Sequence, residues 1–451
     1  MTTQKQLLRL GLFDAKVPRY TSYPTAPHFT TGIQSNDYLQ WLRAVAKDDT
    51  LSLYVHIPFC HRLCWFCACR TQGVRNNDAV TSYLGTLIDE INRVADELPD
   101  GVKLSRLHWG GGTPTLLQPE QMTRLAGAIA ARMPFAEGAE FSVEVDPNEC
   151  DDARLDALAA AGMNRASIGI QDFDPKIQET IGRIQSFEIT KEVSEKLRAR
   201  GIHSLNTDIL YGLPYQDNAS ITATANKLVS LRPDRVALYG YAHVPWMAKR
   251  QRMIPEDKLP GSVARLALYD AAKEIFLAAG YRAVGIDHFA LEGDGLERAA
   301  KAGRLRRNFQ GYTDDRCETL IGVGASSISR MRQGYVQNIS ATSAYLAKIR
   351  GGELAAARGH MFTAEDRLRA RVIEELMCAF EVNLDKIEAE FDIVPMDLRL
   401  EQLRIHQKFS PLTTLDGAVL RIVEAGQPLT RMIAREFDTY SVDAAGHSLA
   451  I

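Results

Sequence analysis

Strand-like and helix-like stretches alternate along the first half of this chain, and that alternation constrains the fold more than any other feature. Apolar runs fall at Leu51–Ile57, Ser105–Trp109, Glu140–Val145, Arg165–Ile170, Ser204–Leu210 and Arg235–Tyr239. Helical patterns lie between them, for example Ala79–Ala95, Pro119–Arg132 and Phe187–Arg200. Consecutive β-α units predict a parallel sheet with helices outside. Six units are too few for a closed eight-fold barrel. The expectation is an α/β fold built on a partial parallel (βα)6 TIM-like barrel. In parallel barrels the chemistry gathers at the C-terminal strand ends.

The rest of the chain has a different texture. Residues 1–50 read as an N-terminal arm with a short amphipathic helix near Tyr38–Ala46. The barrel takes 51–245. Residues 246–360 read as a barrel extension with substrate-side elements, including a long helix at Ser262–Ala279 and the basic, aromatic stretch Arg304-Leu-Arg-Arg-Asn-Phe309. Residues 361–451 read as a mainly helical, winged-helix-like domain. There Thr363-Ala-Glu-Asp366 fits a helix N-cap with acidic first-turn residues. Asp416-Gly417 fits the turn of a hairpin near Phe409–Val423.

Bulk properties exclude several classes. A formal net charge of −3 over 451 residues gives no electrostatic footprint for nucleic acid. No apolar run reaches the ~18 residues of a membrane span. The polar start Met1-Thr-Thr-Gln-Lys-Gln lacks a signal-peptide core. A cytoplasmic monomer that binds neither membrane nor nucleic acid is expected.

Four cysteines crowd into Cys60-His-Arg-Leu-Cys64-Trp-Phe-Cys67-Ala-Cys69, just after the first strand. The spacing C-x3-C-x2-C can wrap one corner of a cubane. A [4Fe–4S] cluster normally takes four thiolates; with three, one iron stays open for a substrate or cofactor. Structural zinc usually takes two separated ligand pairs, and Cys150, Cys317 and Cys378 are isolated. A disulfide framework would be strained at this spacing. Cluster, zinc and redox-thiol readings stand in that order on the residues alone.

The surrounding motifs narrow the field. Tyr54-Val-His-Ile-Pro-Phe-Cys60 leads into the cysteines, and Gly110-Gly-Gly-Thr-Pro-Thr115 follows the next strand. This pairing resembles the radical S-adenosylmethionine superfamily. Arg19-Tyr-Thr-Ser-Tyr-Pro-Thr25, His108-Trp-Gly-Gly-Gly-Thr-Pro-Thr115, Asn206-Thr-Asp-Ile-Leu-Tyr-Gly-Leu-Pro214 and Asn308-Phe-Gln-Gly-Tyr312 narrow it further. Together they resemble the oxygen-independent coproporphyrinogen III oxidases (coproporphyrinogen dehydrogenases) along nearly the whole chain.

That resemblance implies a set of site residues. Cys60, Cys64 and Cys67 would bind the cluster. Cys69 belongs to the family motif without being a ligand; it is either a spare buried thiol or a group acting near substrate. Tyr54, Gly111, Glu144 and Ile328 match the site of the cluster-bound S-adenosylmethionine. Phe66, Gly112, Thr113, Gln171, Arg183, Asp208 and Ala242 match the site of a second molecule. Without the resemblance, Arg183 and Asp208 would read as an ordinary ion pair. His56 reads as a core residue, His61 as a group that could tune the cluster by hydrogen bonding, and His288 as a neighbour of substrate. A tetrapyrrole with four propionates needs cations, and Arg19, Arg304, Arg306 and Arg307 are candidates.

The implied reaction is the oxidative decarboxylation of two propionates of coproporphyrinogen III to vinyls, giving protoporphyrinogen IX for haem biosynthesis. The β-hydrogen of a propionate is not acidic, so a 5′-deoxyadenosyl radical is the expected abstractor. An electron donor such as flavodoxin or ferredoxin is implied, with an unknown final acceptor. Three rivals stay open: a haem chaperone of the same superfamily, another tetrapyrrole-modifying radical enzyme, and a zinc-binding regulator. Haem chaperones typically lack a cysteine at the place of Cys69 and lack the Arg19–Thr25 segment, and both are present here.

Overall fold

The computed structural model describes residues 3–392, 396–440 and 450. Six parallel strands form its centre: β1 (Thr50–Ile57), β2 (Lys103–Gly111), β3 (Phe135–Val145), β4 (Arg165–Gln171), β5 (Ser204–Tyr211) and β6 (Arg235–Gly240). They lie side by side in chain order. The register sets Tyr54 beside His108, Trp109 beside Val143, and Gly169 beside Asp208. Helices Asp78–Glu97, Pro119–Arg132, Asp152–Ala160, Phe187–Ala199 and Asn218–Ser230 return the chain between strands. The expected barrel is therefore present, with each apolar run inside a strand.

The strands read as apolar because both faces are covered. In β1 every residue from Leu51 to Ile57 except Tyr54 is buried. Local capping starts the helices where the sequence changes period. Ser186 accepts from the Ile189 amide, and Asp217 forms a reciprocal cap with Ser220. Trp109 meets Phe141 edge-on at 5.0 Å in the core between sheet and helices.

The sheet extends beyond the six strands. On one side come β7 (Arg282–Val284) and β8 (His288–Ala290), with β8 antiparallel to β6. On the other, β9 (Leu320–Val323) runs parallel to β1. It is followed by antiparallel β10 (Ile328–Met331), β11 (Gly334–Asn338) and β12 (Ala356–Met361). The result is one sheet of 12 strands. Glu90, on the helix behind β1, ties this edge down. Its buried carboxylate accepts from the Gly324 amide, the Asn338 side chain and the Tyr345 hydroxyl.

Helices Ala364–Ala379, Leu384–Phe391, Met396–Phe409 and Thr430–Glu436 form the C-terminal unit, with a small antiparallel sheet of Glu381–Asn383, Thr413–Asp416 and Val419–Ile422. This is a mainly helical, winged arrangement. Thr363 caps its first helix in a reciprocal box with Asp366, and Gly417 turns the hairpin at φ +56°. The N-terminal residues pack here. Leu7, Leu12, Phe13, Tyr20 and Tyr23 share one core with Leu376, Phe409 and Ile433. Among the described residues no helix is long and apolar enough to cross a membrane.

Candidate active site

β1 ends at Ile57, and the chain turns at once into the cysteine loop. A short ladder of Phe59–Cys60 with Gln72–Gly73 closes the base of that loop. Cys60, Cys64 and Cys67 are partly buried, while Cys69 is exposed to a large cavity. Three contacts hold the loop from outside. The Trp65 amide donates to Ile181 O at 2.9 Å, and the indole packs on Gly182. Arg250 donates to the Thr71 hydroxyl at 2.8 Å and to Cys69 O at 3.3 Å. Gln251, fully buried, donates to Phe66 O at 2.7 Å and to Ala242 O at 3.0 Å.

The electrostatics suit thiolate ligands. A hydrogen bond from Cys69, with help from the Arg250 and Arg183 charges, holds the Cys67 thiol below the usual thiol range against its burial. The Cys69 amide also donates to Cys67 Sγ at 3.4 Å. Arg183 Nη1 lies 3.6 Å from Cys64 Sγ. Burial pushes Cys60 up to about 11, so metal binding must take its proton. Among the described residues no three His, Cys, Asp or Glu side chains converge on the volume of a single ion. A cubane spreads its thiolates around a larger body, and this donor set fits one.

The end of β2 lies against the loop. The Gly112 amide donates to Ile57 O and the Thr113 amide to Phe59 O, both at 2.8 Å. A Cβ at Gly112 would stand 2.5 Å from Phe59 O, so only glycine allows this approach. Gly111, at φ +109°, donates its amide to Glu144 Oε2 at 3.1 Å. Glu144 is the half-exposed carboxylate near the end of β3, and His108 Nε2 reaches its other oxygen at 3.4 Å. Tyr54 stacks on His108 and donates to His56 Nδ1 at 3.0 Å. His56 in turn donates from Nε2 to Arg70 O at 3.1 Å. Burial lowers its pKa, and both ring nitrogens are used as in a neutral imidazole. It is the structural core residue its strand position implied. Ile328 starts β10, and its backbone packs against Gly322, the residue of β9 that pairs with Tyr54.

A second group gathers at the ends of β4 to β6. Gln171 closes β4 in the left-handed region at φ +70°, a conformation costly for a side-chain-bearing residue. Arg183 spans from there to the cysteines. It donates to Gly169 O at 2.7 Å and Gln185 Oε1 at 2.9 Å, and lies 3.6 Å from Asp146, while its buried Nε has no protein partner. Asp208 accepts from Asn206 at 2.9 Å and from Ser167 at 3.4 Å. Burial raises its carboxyl to about 6. An inward carboxylate that resists ionisation and a guanidinium with a spare donor suit an amino acid zwitterion joined to a ribose.

The comparisons agree with this geometry. The radical SAM superfamily model matches residues 54–228. The oxygen-independent coproporphyrinogen III oxidase of Paracoccus denitrificans is 58% identical over 453 residues, covering 100% of both chains. The enzyme of that name from Pseudomonas aeruginosa is 38% identical over 95% of this chain and 94% of its own. The chain belongs to the oxygen-independent coproporphyrinogen III oxidase family. The solved structure of the Escherichia coli coproporphyrinogen III oxidase, described as a radical SAM enzyme, is similar throughout. Its TM-score is 0.90 at 36% identity, over 95% of this chain and 100% of that one. As in the superfamily at large, the cofactors are a [4Fe–4S] cluster and S-adenosylmethionine.

In this coproporphyrinogen oxidase family member, the cysteine loop borders a cavity of about 1070 Å³. Cys69 and Ala242 line its near side, and Arg19, Arg265, Arg307 and Arg431 also line it. Of the arginines singled out by sequence, Arg19 and Arg307 are therefore at the cavity. Arg304 is on the surface, and Arg306 is an exposed partner of Glu374. His61 pairs with Glu149 at 3.0 Å on the outside of the loop. Sequence reasoning missed Arg250, Gln251, Arg265 and Arg431. Arg250 and Gln251 sit in the short turn Lys249–Met253, which carries no motif. Arg431 comes from the C-terminal unit and donates to Pro18 O at 3.0 Å, so no local pattern could mark it.

Proposed function

We propose that this chain carries out the oxygen-independent decarboxylation of two propionates of coproporphyrinogen III to vinyls, giving protoporphyrinogen IX in haem biosynthesis. The observation that carries the reading is the cavity. It is large enough for a tetrapyrrole, it carries four arginines, and it reaches Cys69 beside the cysteine loop. Cys60, Cys64 and Cys67 hold the cluster, and Arg183 and Arg250 offset the thiolate charge. Bound there, the cluster and S-adenosylmethionine would supply the carbon-radical chemistry that an unactivated β-hydrogen requires.

The chain's own residues bind, orient and shelter. Gly111, Glu144, Tyr54 and Ile328 form the seat of the first S-adenosylmethionine. Glu144 accepts from its amino or ribose groups. Phe66, Gly112, Thr113, Gln171, Arg183, Asp208 and Ala242 form the seat of a second. Arg183 meets a carboxylate with its spare Nε, and Asp208 meets a cation or a diol. Cys69 stands between cofactor and substrate. The 51–245 barrel supplies the cofactor seats, with Ile328 added from the 246–360 extension. The N-terminal arm, the 246–360 extension and the C-terminal unit from 361 enclose the substrate.

An electron donor such as flavodoxin or ferredoxin and a separate acceptor complete the partners of a cytoplasmic monomer. The test is an anaerobic assay with reconstituted cluster, reductant, S-adenosylmethionine and coproporphyrinogen III. Protoporphyrinogen IX, with 5′-deoxyadenosine released at each decarboxylation, is the expected result. Cleavage of S-adenosylmethionine without decarboxylation would reject the substrate.

A further inference from the structure

A partly buried carboxylate faces the cavity, where a ligand with four carboxylates would repel it. Asp287 lines the wall with its side chain 16% exposed. The other acids bordering the cavity, Asp270 and Glu424, are exposed residues. Asp287 is held by one hydrogen-bond donor and one guanidinium. His288 donates from Nδ1 to Oδ1 at 2.6 Å, and Arg307 Nη2 stands 3.7 Å from Oδ2. At 3.7 Å the second contact is an ion pair and too long for a hydrogen bond, so Oδ2 keeps accepting capacity. Although burial opposes it, the Arg307 charge and the His288 hydrogen bond bring the Asp287 carboxyl down to about 2.

The surroundings point to a ligand. Arg307 is 5% exposed and its guanidinium lies over the Tyr312 ring at 4.4 Å, yet its Nε and Nη1 are buried without a hydrogen-bond partner. Tyr239 Oη approaches His288 Nε2 at 3.4 Å and fixes the imidazole from behind. Gly311, at φ +126°, leaves the wall bare, because a Cβ there would stand 3.1 Å from Tyr239 Oη and 3.3 Å from the imidazole. The site therefore offers a fixed anionic acceptor without a blocking side chain. A buried acceptor costs free energy until a donor meets it.

Building on the function proposed above, we propose that Asp287 accepts hydrogen bonds from the pyrrole N–H groups of the reduced macrocycle and so selects the porphyrinogen over the oxidised porphyrin. A porphyrinogen carries four N–H donors on flexible methylene-bridged rings, which can tilt toward one carboxylate. A porphyrin carries two N–H groups and two imine nitrogens in a rigid plane, and the imine lone pairs face the carboxylate acceptor to acceptor. Arg307 and His288 are positioning residues that keep Asp287 ionised and aimed. The propionates go to the other cavity arginines, Arg19, Arg265 and Arg431, and Asp287 reads the centre of the ring.

The test is anaerobic equilibrium binding to the cluster-loaded enzyme without reductant. Coproporphyrin III is followed by fluorescence, and coproporphyrinogen III is added as competitor. The wild type is expected to prefer the reduced ligand. In Asp287→Asn that preference falls by ~10-fold or more, because coproporphyrinogen loses a charge-assisted acceptor while coproporphyrin affinity holds or rises as the acceptor-to-acceptor clash is relieved. If this variant fails to fold around an unpaired Arg307, Asp287→Asn with Arg307→Gln removes both charges, and the same loss is expected. A variant that keeps the wild-type preference overturns the assignment. A wild-type enzyme that neither binds nor decarboxylates coproporphyrinogen III overturns the function on which it rests.

Discussion

Cys69 touches the cluster-binding residues without belonging to the C-x3-C-x2-C triplet. Its backbone amide donates to Cys67 Sγ, and its own side chain faces the cavity. Cys69→Ala is therefore expected to keep its iron and its S-adenosylmethionine binding while turnover falls ~10–100-fold, the usual scale for a group that supports a metal ligand. Iron analysis alongside single-turnover assays separates this from Cys64→Ala, which should lose the iron. Asp208 gives a pH signature. Burial raises its folded pKa to about 6, above the usual carboxylate range, so the folded chain holds a proton there that the unfolded chain has lost. The stability this adds fades as pH rises through that window. A cationic ligand needs the ionised form, so binding at this seat should weaken as pH falls through about 6. Asp208→Asn should bind ~10-fold more weakly and with no such pH step, as read by calorimetry. The sequence displayed these residues because each sits in a motif or at a strand end. It concealed Gln251, whose importance comes from which carbonyls it reaches.

Among the elements, the short turn Lys249–Met253 acts as a clasp across two separate pieces of the site. Gln251 joins Phe66 O to Ala242 O and accepts from the Val244 amide at 2.5 Å. Gln251→Ala leaves two carbonyls and an amide without their partner, at about 1–3 kcal/mol for each buried group. The expected outcome is a cysteine loop that reconstitutes poorly: iron content and S-adenosylmethionine affinity fall together while the far-ultraviolet circular dichroism stays unchanged. The six central strands were legible because each is a strand-length stretch rich in apolar residues, set between helical patterns and leading to a residue of chemical character. The strands that extend the sheet were not. Leu320–Val323 and Ile328–Met331 are only 4 residues each, too short for a periodicity to declare itself, and their partners are set by tertiary register. The helix Thr3–Arg9 was hidden for the same reason, being 7 residues stabilised by packing.

Across the whole molecule, the two chain ends meet over the cavity. Leu7 and Gln4 from the N-terminal helix, and Gln427, Thr430 and Arg431 from the C-terminal unit, line its outer wall. The arginine of that unit donates to Pro18 O, and Leu12 is fully buried in the shared core. Leu12→Ala should cost about 2–5 kcal/mol in that core. Because the core closes the cavity, substrate KM should rise while the iron content holds. A thermal melt and a KM determination would check both. The fold class and the direction of the barrel's open end could be read from pattern alone. The enclosure could not, since it depends on contacts between residues some four hundred positions apart.

A propionate held in the arginine-lined cavity should give up its β-hydrogen to the radical that the barrel's cofactors would supply. The measurement that tests it most directly uses coproporphyrinogen III deuterated at the propionate β-carbons, with mass analysis of the 5′-deoxyadenosine released. Deuterium in the 5′-deoxyadenosine, at a level tracking vinyl formation, is the predicted result. Vinyl product accompanied by unlabelled 5′-deoxyadenosine would contradict the account.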